Sequence, residues 1–181
     1  VVLLLVVNEI RIPISFRIYD KSKTKIILAL ELLSYARNTL KLRNMLVIFD
    51  SWYSCKKILK RIKDYGWYFV CRIKKNRNIN GKPVKSWNIN PYWLKRGKIC
   101  GIDVIVVRNG KYYLITNKLS MTKKEILDWY ANRWLIEEFF RIIKSIFKAK
   151  SCQSRTVEAW ENHLFLVFLS YSFVELKRTE L

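Results

Sequence analysis

Acidic side chains are scarce in this chain. Fourteen Asp and Glu stand against 35 Lys and Arg, with a single His, for a formal net charge of +21 over 181 residues. A surplus of that size excludes a basic partner and calls for a polyanion, because each phosphate that a cation neutralises releases condensed counterions. Nucleic acid fits this better than an anionic membrane surface. One His and four scattered cysteines (Cys55, Cys71, Cys100, Cys152) with no C-x-x-C pair leave poor material for a zinc site, and the thiols read as the reduced cysteines of a cytosolic protein. Long apolar runs are also missing. "VVLLLVV" and "LFLVFLSYSFV" fall short of the roughly 20 residues a bilayer-spanning helix needs, so no membrane partner is expected. The opening residues do not read as a signal peptide, since no basic segment precedes the apolar run. Val1 stands at the start of a strand-like run, which reads as the opening of a fragment.

What is present suffices for a packed core: 51% of residues are hydrophobic and 14% aromatic. "VVLLLVV" reads as a buried strand, and the alternation of Ile10, Ile12, Ile14, Phe16 and Ile18 as a half-buried one, with Asn8-Glu9 as a hairpin turn and Pro13 marking an edge or a bulge. Residues 24–40 read as a helix capped by Thr24. Leu46 to Phe49 are uniformly apolar, as in a central strand covered on both faces, and Asp50 ends the run. A basic amphipathic helix closed by Gly66 and the strand "WYFVCRIK" follow. This strand–helix–strand unit points to a mixed α/β sheet. Residues 76–118 read as a β-rich insertion, with Asn109-Gly110 as a hairpin signal. Residues 122–149 read as one long helix and 157–177 as an apolar closing helix.

The long helix carries an unusual edge. On an ideal wheel at about 100° per residue, Tyr130, Arg133, Glu137 and Lys144 fall within roughly a 60° arc, beside an apolar face of Ile and Phe. A solvated face with an Arg133–Glu137 i, i+4 pair explains the same pattern. Glu138 is as good an acid on spacing alone, although the wheel turns it away from the quartet. Asp50 adds weight, because ligands of open α/β sheets gather at the carboxyl ends of strands. It also suits the role of N-cap for the following helix. A strand-end Asp, a helix Glu and a basic surplus together suggest carboxylates that hold divalent metal for phosphodiester chemistry.

The spacing Tyr130-x2-Arg133-x3-Glu137-x6-Lys144 resembles the Y-R-E-K signature of DDE transposases from prokaryotic insertion sequences. "IPISFRIYD", "LVIFDSWYSCKKILKRIKDYGWYFVCRIKKNR", "LITNKLS" and "CQSRTVEAWENHLFLVFL" look like the same family's catalytic domain. The resemblance implies an α/β, ribonuclease H-like mixed sheet flanked by helices. Residues 1–75 and 119–181 would form the catalytic domain and 76–118 a β-rich insertion before the catalytic-Glu helix. It implies Asp50 and Glu137 as catalytic metal ligands, with Mg²⁺ as the ion and Mn²⁺ as the alternative. Tyr130, Arg133 and Lys144 would contact DNA. The family's first catalytic Asp has no counterpart in this reading; Asp20 stands in the wrong place, and the 181 residues alone are expected to bind metal weakly and not to cleave.

The implied function is metal-dependent cleavage of transposon ends and strand transfer into target DNA. Double-stranded DNA is the partner, a homodimer on DNA the assembly, and the cytoplasm, in association with the nucleoid, the location. A non-catalytic DNA-binding remnant of a transposase, and a ribonuclease H-like nuclease with another substrate, are the alternatives. Trp87 and Trp93 lie in the insertion, where relatives stack an aromatic on an extruded base; loop packing is the plainer reading of both. Trp52 and Tyr53 are expected to pack beside the site, and His163 to serve as a structural hydrogen-bonder. The basic runs "CKKILKRIKDYG" and "RIKKNR" either track a DNA backbone or solubilise the fold.

Overall fold

A computed structural model describes residues 1–90 and 92–178. In chain order the elements are β1 (Val2–Val7), β2 (Ile10–Phe16), α1 (Lys25–Asn38), β3 (Leu46–Phe49), α2 (Lys56–Asp64), β4 (Tyr68–Ile73), β5 (Asn78–Ile79), β6 (Lys82–Pro83), β7 (Leu94–Ile99), β8 (Ile102–Asn109), β9 (Tyr112–Thr116), α3 (Lys123–Ala131), α4 (Trp134–Ser145) and α5 (Val157–Lys177). They form two compact units, one of residues 1–32 with 134–181 and one of residues 33–133.

In the first unit β1 and β2 make an antiparallel hairpin. Its turn residues Asn8 and Glu9 both take left-handed backbone angles, φ 47° and 69°, as a two-residue turn between right-twisted strands requires. The register slips once. Leu3 faces Ser15 but Leu4 faces Pro13, so Ile14 is an extra residue. That bulge accommodates a proline with no N–H to give the ladder. Helices α4 and α5 share a core with the hairpin. Phe139, Ile143, Val167, Phe168 and Tyr171 are buried, and Val2, Leu4 and Phe16 pack on them. The rings meet edge to face, Phe139 with Tyr171 at 4.9 Å and Phe16 with Phe168 at 5.1 Å between centroids, the geometry that the ring quadrupoles favour. Helix α1 begins in this unit, where Thr24 Oγ1 accepts the Ile27 N–H, and ends in the second. Its buried Leu28, Leu32, Leu33 and Ala36 lie on one stripe.

The second unit is built on a five-stranded mixed sheet in the order β3-β4-β9-β8-β7. Strands β3 and β4 are parallel, with Phe49 opposite Cys71; the remaining neighbours are antiparallel. Helix α2 connects the parallel pair and buries Ile58, Leu59 and Ile62, while Lys56, Lys57, Lys60 and Lys63 face solvent. Val70, Ile105, Val107, Leu114, Met121 and Ile126 form the core under α3. The β8–β9 turn is Gly110-Lys111, one residue later than Asn109-Gly110 suggests: Asn109 pairs with Tyr112, and Gly110 supplies the positive φ. The small β5–β6 ribbon is tied to β7 by a reciprocal pair of bonds. Asn80 N–H donates to the Lys98 carbonyl at 2.9 Å, and Lys98 N–H donates to Asn80 Oδ1 at 2.7 Å.

Two expectations are corrected. Leu46–Phe49 is not a central strand covered on both faces. Among the described residues it is the edge of the sheet, half-buried along its whole length. An apolar run reports that a strand is covered, not how many neighbours it pairs with. Residues 122–149 are not one helix either. Thr122 and Glu125 form a capping box that starts α3, which closes at Asn132. The amides of Asn132 and Arg133 bond back three residues, to Trp129 and Tyr130, before α4 begins at Trp134. No proline or glycine marks this break, so the hydrophobic periodicity runs through it.

Gly97 on β7 shows how tightly the ribbon seats. A Cβ there would lie 2.4 Å from the Trp87 ring and 2.5 Å from Cγ2 of the buried Ile79. Gly97→Ala is therefore expected to lower stability by about 1–3 kcal/mol through overpacking, read as a lower denaturant midpoint with an unchanged m-value.

Candidate functional site

The second unit gathers three of the residues singled out in the sequence. Asp50 follows directly on β3 and is exposed. Its Oδ1 accepts the N–H of Trp52 at 2.8 Å, which folds the loop into an Asx turn. It is not the cap of α2; that position belongs to Cys55, whose side chain makes no cap bond. Because β3 and β4 run the same way, Asp50 and Lys74 leave the sheet at the same end, the place where α/β sheets collect ligands.

Tyr130 packs half-buried on the core cluster under α3. Burial raises its phenol pKa, opposed by the charges of Arg133 and Arg72, and the carboxylate of Asp50 adds to the rise. Asp50 and two guanidinium groups therefore act on one hydroxyl, which stays protonated as a hydrogen-bond donor at neutral pH. The Arg133 guanidinium carbon lies 6.0 Å from the Tyr130 ring centroid. Arg72, on β4, did not figure in the sequence reading; it stacks 3.7 Å over the Tyr112 ring. Its only signal in the sequence is a charge inside an otherwise apolar strand. Asp50 also raises the pKa of Tyr53, after the larger effect of burial.

The other two residues of the quartet lie in the first unit. Glu137 stands in the first turn of α4, where the helix dipole favours a carboxylate, and Lys144 in its last turn, where it favours a cation. Seven residues apart, they occupy the same helix face. The quartet is thus divided by the Asn132–Arg133 break, with Tyr130 and Arg133 on one side and Glu137 and Lys144 on the other. A wheel drawn through 130–144 as one helix does not describe it.

Glu138, equal to Glu137 on spacing, is engaged elsewhere. Arg11 Nη1 reaches its Oε2 at 2.9 Å, while Arg11 Nε reaches Oε1 of the buried Glu175 at 2.7 Å. Arg178 adds a 3.2 Å bond to the same Glu175 oxygen. The hydrogen bond to Glu175 raises the Arg11 pKa above its ordinary value. This paired network fixes α4 and α5 to β2, and a partnered, partly buried carboxylate is a poor candidate for ligand exchange. Asp20 is likewise occupied, accepting both the N–H and the hydroxyl of Ser22.

The aromatic expectations divide. Trp87 packs against Gly97 and Ile79, whereas Trp93 is 69% exposed. Trp52 is 63% exposed and does not pack down beside Asp50, contrary to expectation, while Tyr53 is half-buried. His163 Nε2 is buried without a hydrogen-bond partner, so the hydrogen-bonding role expected of it is not seen on that nitrogen; its ring sits edge-on to Trp160. Among the described residues, neither unit holds a group of three His, Cys, Asp or Glu side chains able to ligate a metal ion. The donors do suit a hard cation one by one: both Asp50 and Glu137 offer carboxylate oxygen, the ligand Mg²⁺ prefers. No described helix is long and apolar enough to cross a membrane.

A family model described as "Transposase DDE domain" matches residues 2–173. No curated protein sequence matches the chain. Among solved structures it is similar to a piggyBac transposase synaptic complex with hairpin DNA, determined by cryo-EM. The identity is 10%, the TM-score 0.52, and the match covers 86% of this chain and 34% of that one. The chain therefore spans about a third of that transposase's length, and the likeness is one of fold: a mixed sheet flanked by helices, the α/β class expected from the sequence.

The raised pKa of Tyr130 is open to direct measurement. The difference between the ultraviolet titrations of the wild type and Tyr130→Phe is expected to show one phenol ionising above the ordinary value of about 10. A folded-state pKa above the unfolded one means that the stability contributed by the neutral phenol is present below about pH 10 and is lost as pH rises through the folded value.

Proposed function

The chain belongs to the transposase DDE domain family, and from that premise we propose that the intact protein is a DNA transposase of the Y-R-E-K branch found in prokaryotic insertion sequences. It would cut transposon ends and join them to target DNA. The observation that carries this reading is the extent of the family match: one domain, residues 2–173, includes Asp50, Tyr130, Arg133, Glu137 and Lys144. The charge of +21 supports double-stranded DNA as the partner.

Asp50 and Glu137 are the proposed ligands of Mg²⁺, with Mn²⁺ as a substitute. The ions, when bound, supply Lewis-acid activation of a water or a 3′ hydroxyl and neutralise charge on the leaving oxygen. Two carboxylates leave most of the coordination to waters, phosphate oxygens and a further acid, as is usual for a cation that dehydrates reluctantly. The chain's other residues position the DNA. Arg133 offers a planar fork that can hold a phosphate through two N–H bonds, and Lys144 offers a point charge. The neutral Tyr130 hydroxyl donates to a phosphate oxygen. Arg72 lowers the local negative potential of Asp50 and so assists the approach of an anionic backbone. Residues 76–118 are proposed as an insertion into a catalytic domain formed by 1–75 and 119–181, although three of its strands, β7, β8 and β9, extend the sheet of β3 and β4. Action as a homodimer on DNA, and association with the nucleoid, belong to the same proposal.

The experiment is strand cleavage by the full-length protein on DNA carrying its transposon ends. Asp50→Asn and Glu137→Gln are each expected to lower the rate by about a thousand-fold or more, the scale seen when a central catalytic group is removed. Glu138→Gln, which loses the Arg11 pair, is expected to lower the melting temperature while cleavage stays within a few-fold of wild type. Undiminished cleavage by either of the first two variants ends the assignment.

A further inference from the structure

Beside the Asp50 loop the second unit opens into a cleft of about 750 Å³, within the roughly 300–1,000 Å³ range of ligand sites. Trp52, Lys56, Lys74, Arg77 and Lys98 line it together with small and amide side chains, and no carboxylate is among the lining residues. The four cations come from separate elements: the start of α2, the end of β4, the loop after it, and β7. Lys56, Lys74 and Lys98 are exposed and Arg77 is half-buried. Lys98 also meets Asp103 at 3.4 Å, but both side chains are more than half exposed, so that pair is weak and yields to a phosphate at little cost.

Trp52 gives the cleft a second character. Its backbone N–H is held by Asp50 Oδ1, yet its indole is 63% exposed and meets no other ring among the described residues. An exposed indole next to four cations has the two parts of a single-strand site: charge that follows the backbone, and a flat face on which a base stacks. A duplex hides the faces of its bases inside the stack, so only an unpaired base can use Trp52. Stacking on Trp52 also differs from the roles assigned to Trp87 and Trp93, since Trp52 is joined through its own amide to the proposed metal ligand.

We propose that the cleft lined by Trp52, Lys56, Lys74, Arg77 and Lys98 binds an unpaired DNA strand, with one base stacked on Trp52 and its phosphates on the cations. This deepens the reading of Asp50 as part of a DNA-cutting centre and rests on it for the identity of the nucleic acid. The strand leaving a phosphodiester bond held at Asp50 would continue directly into the cleft, because Ser51 and Trp52 form its wall. A transposase gains from such a site when the ends of its substrate open around the cut, since it keeps the frayed strand from re-pairing.

The test is fluorescence anisotropy with the 181-residue chain, a short labelled oligothymidine and a duplex of the same length, in EDTA so that no metal-dependent step contributes. The variants are Trp52→Ala, Trp52→Phe, the triple change Lys56→Ala with Lys74→Ala and Arg77→Ala, and Lys63→Ala, which removes the same charge from the far end of α2. Trp52→Ala is expected to weaken oligothymidine binding about five-fold or more while duplex binding changes by less than about two-fold, and Trp52→Phe to recover part of the loss. The triple variant is expected to flatten the logarithmic salt dependence of oligothymidine binding by about two units, and Lys63→Ala by less than one. Wild-type affinity for oligothymidine in Trp52→Ala and the triple variant overturns the proposal. So does an equal loss on duplex and single strand in Trp52→Ala. Failure of cleavage in the full-length protein leaves this metal-free result untouched. Conversely, full cleavage with no effect of Trp52→Ala on strand binding removes the cleft and spares the catalytic reading.

Discussion

The parallel pairing of β3 with β4 is the constraint on which the functional geometry of the second unit depends. Two strands running the same way, joined by α2, must deliver their carboxyl ends to one edge. Asp50, Lys74 and the first turn of α2 therefore emerge together, and the Asx turn of Asp50 on Trp52 sets the direction of the loop between them. An antiparallel pairing of the same two segments would have put Asp50 and Lys74 at opposite ends of the sheet, with no common cleft for Trp52, Lys56 and Arg77 to line.

A second constraint comes from the shortage of acids. With only 14 carboxylates among 35 cations, the packed structure engages many of them in ways that fix elements. Glu138 and Glu175 hold Arg11, and through it β2 against α4 and α5. Glu31 holds Lys23 and Arg17; Glu125 closes the capping box of α3. Asp50 differs. Its hydrogen bond is to the amide of its own loop, and its charge acts on Tyr130, Tyr53 and Cys71 rather than neutralising one cation. A carboxylate placed where it perturbs several titratable groups at a strand end, without being taken up by one salt bridge, is the kind that functional sites use.

The break between α3 and α4 separates the two halves of the Y-R-E-K spacing, and its consequence is mechanical. Arg133 is oriented by a tight turn rather than by the helix that carries Glu137, so the phosphate-binding fork and the metal-binding acid are held by different supports. The spacing in sequence is that of one helix face; the structure uses it to place two groups on two elements. Arg72, contributed by β4, joins the first of them and extends the cationic surface around Tyr130.

Much of this was legible in the amino-acid order. The Asn8-Glu9 turn, the Pro13 bulge, the Thr24 cap, the strand–helix–strand unit ending at Gly66 and the closing helix over 157–177 follow from local chemistry: backbone angles, the missing N–H of proline and hydrophobic period. The spacing of Tyr130, Arg133, Glu137 and Lys144, and the strand-end position of Asp50, are likewise sequence facts. Tertiary structure alone decided that Leu46–Phe49 is an edge strand, that Arg11 takes Glu138 away from ligand chemistry, that Arg72 stands by Tyr130 and that Trp52 faces solvent beside four cations. Each of those depends on which segment, tens of residues away, supplies the neighbouring charge or surface. A local pattern specifies the conformation of a segment, but the partner of a charge is chosen by packing across the chain.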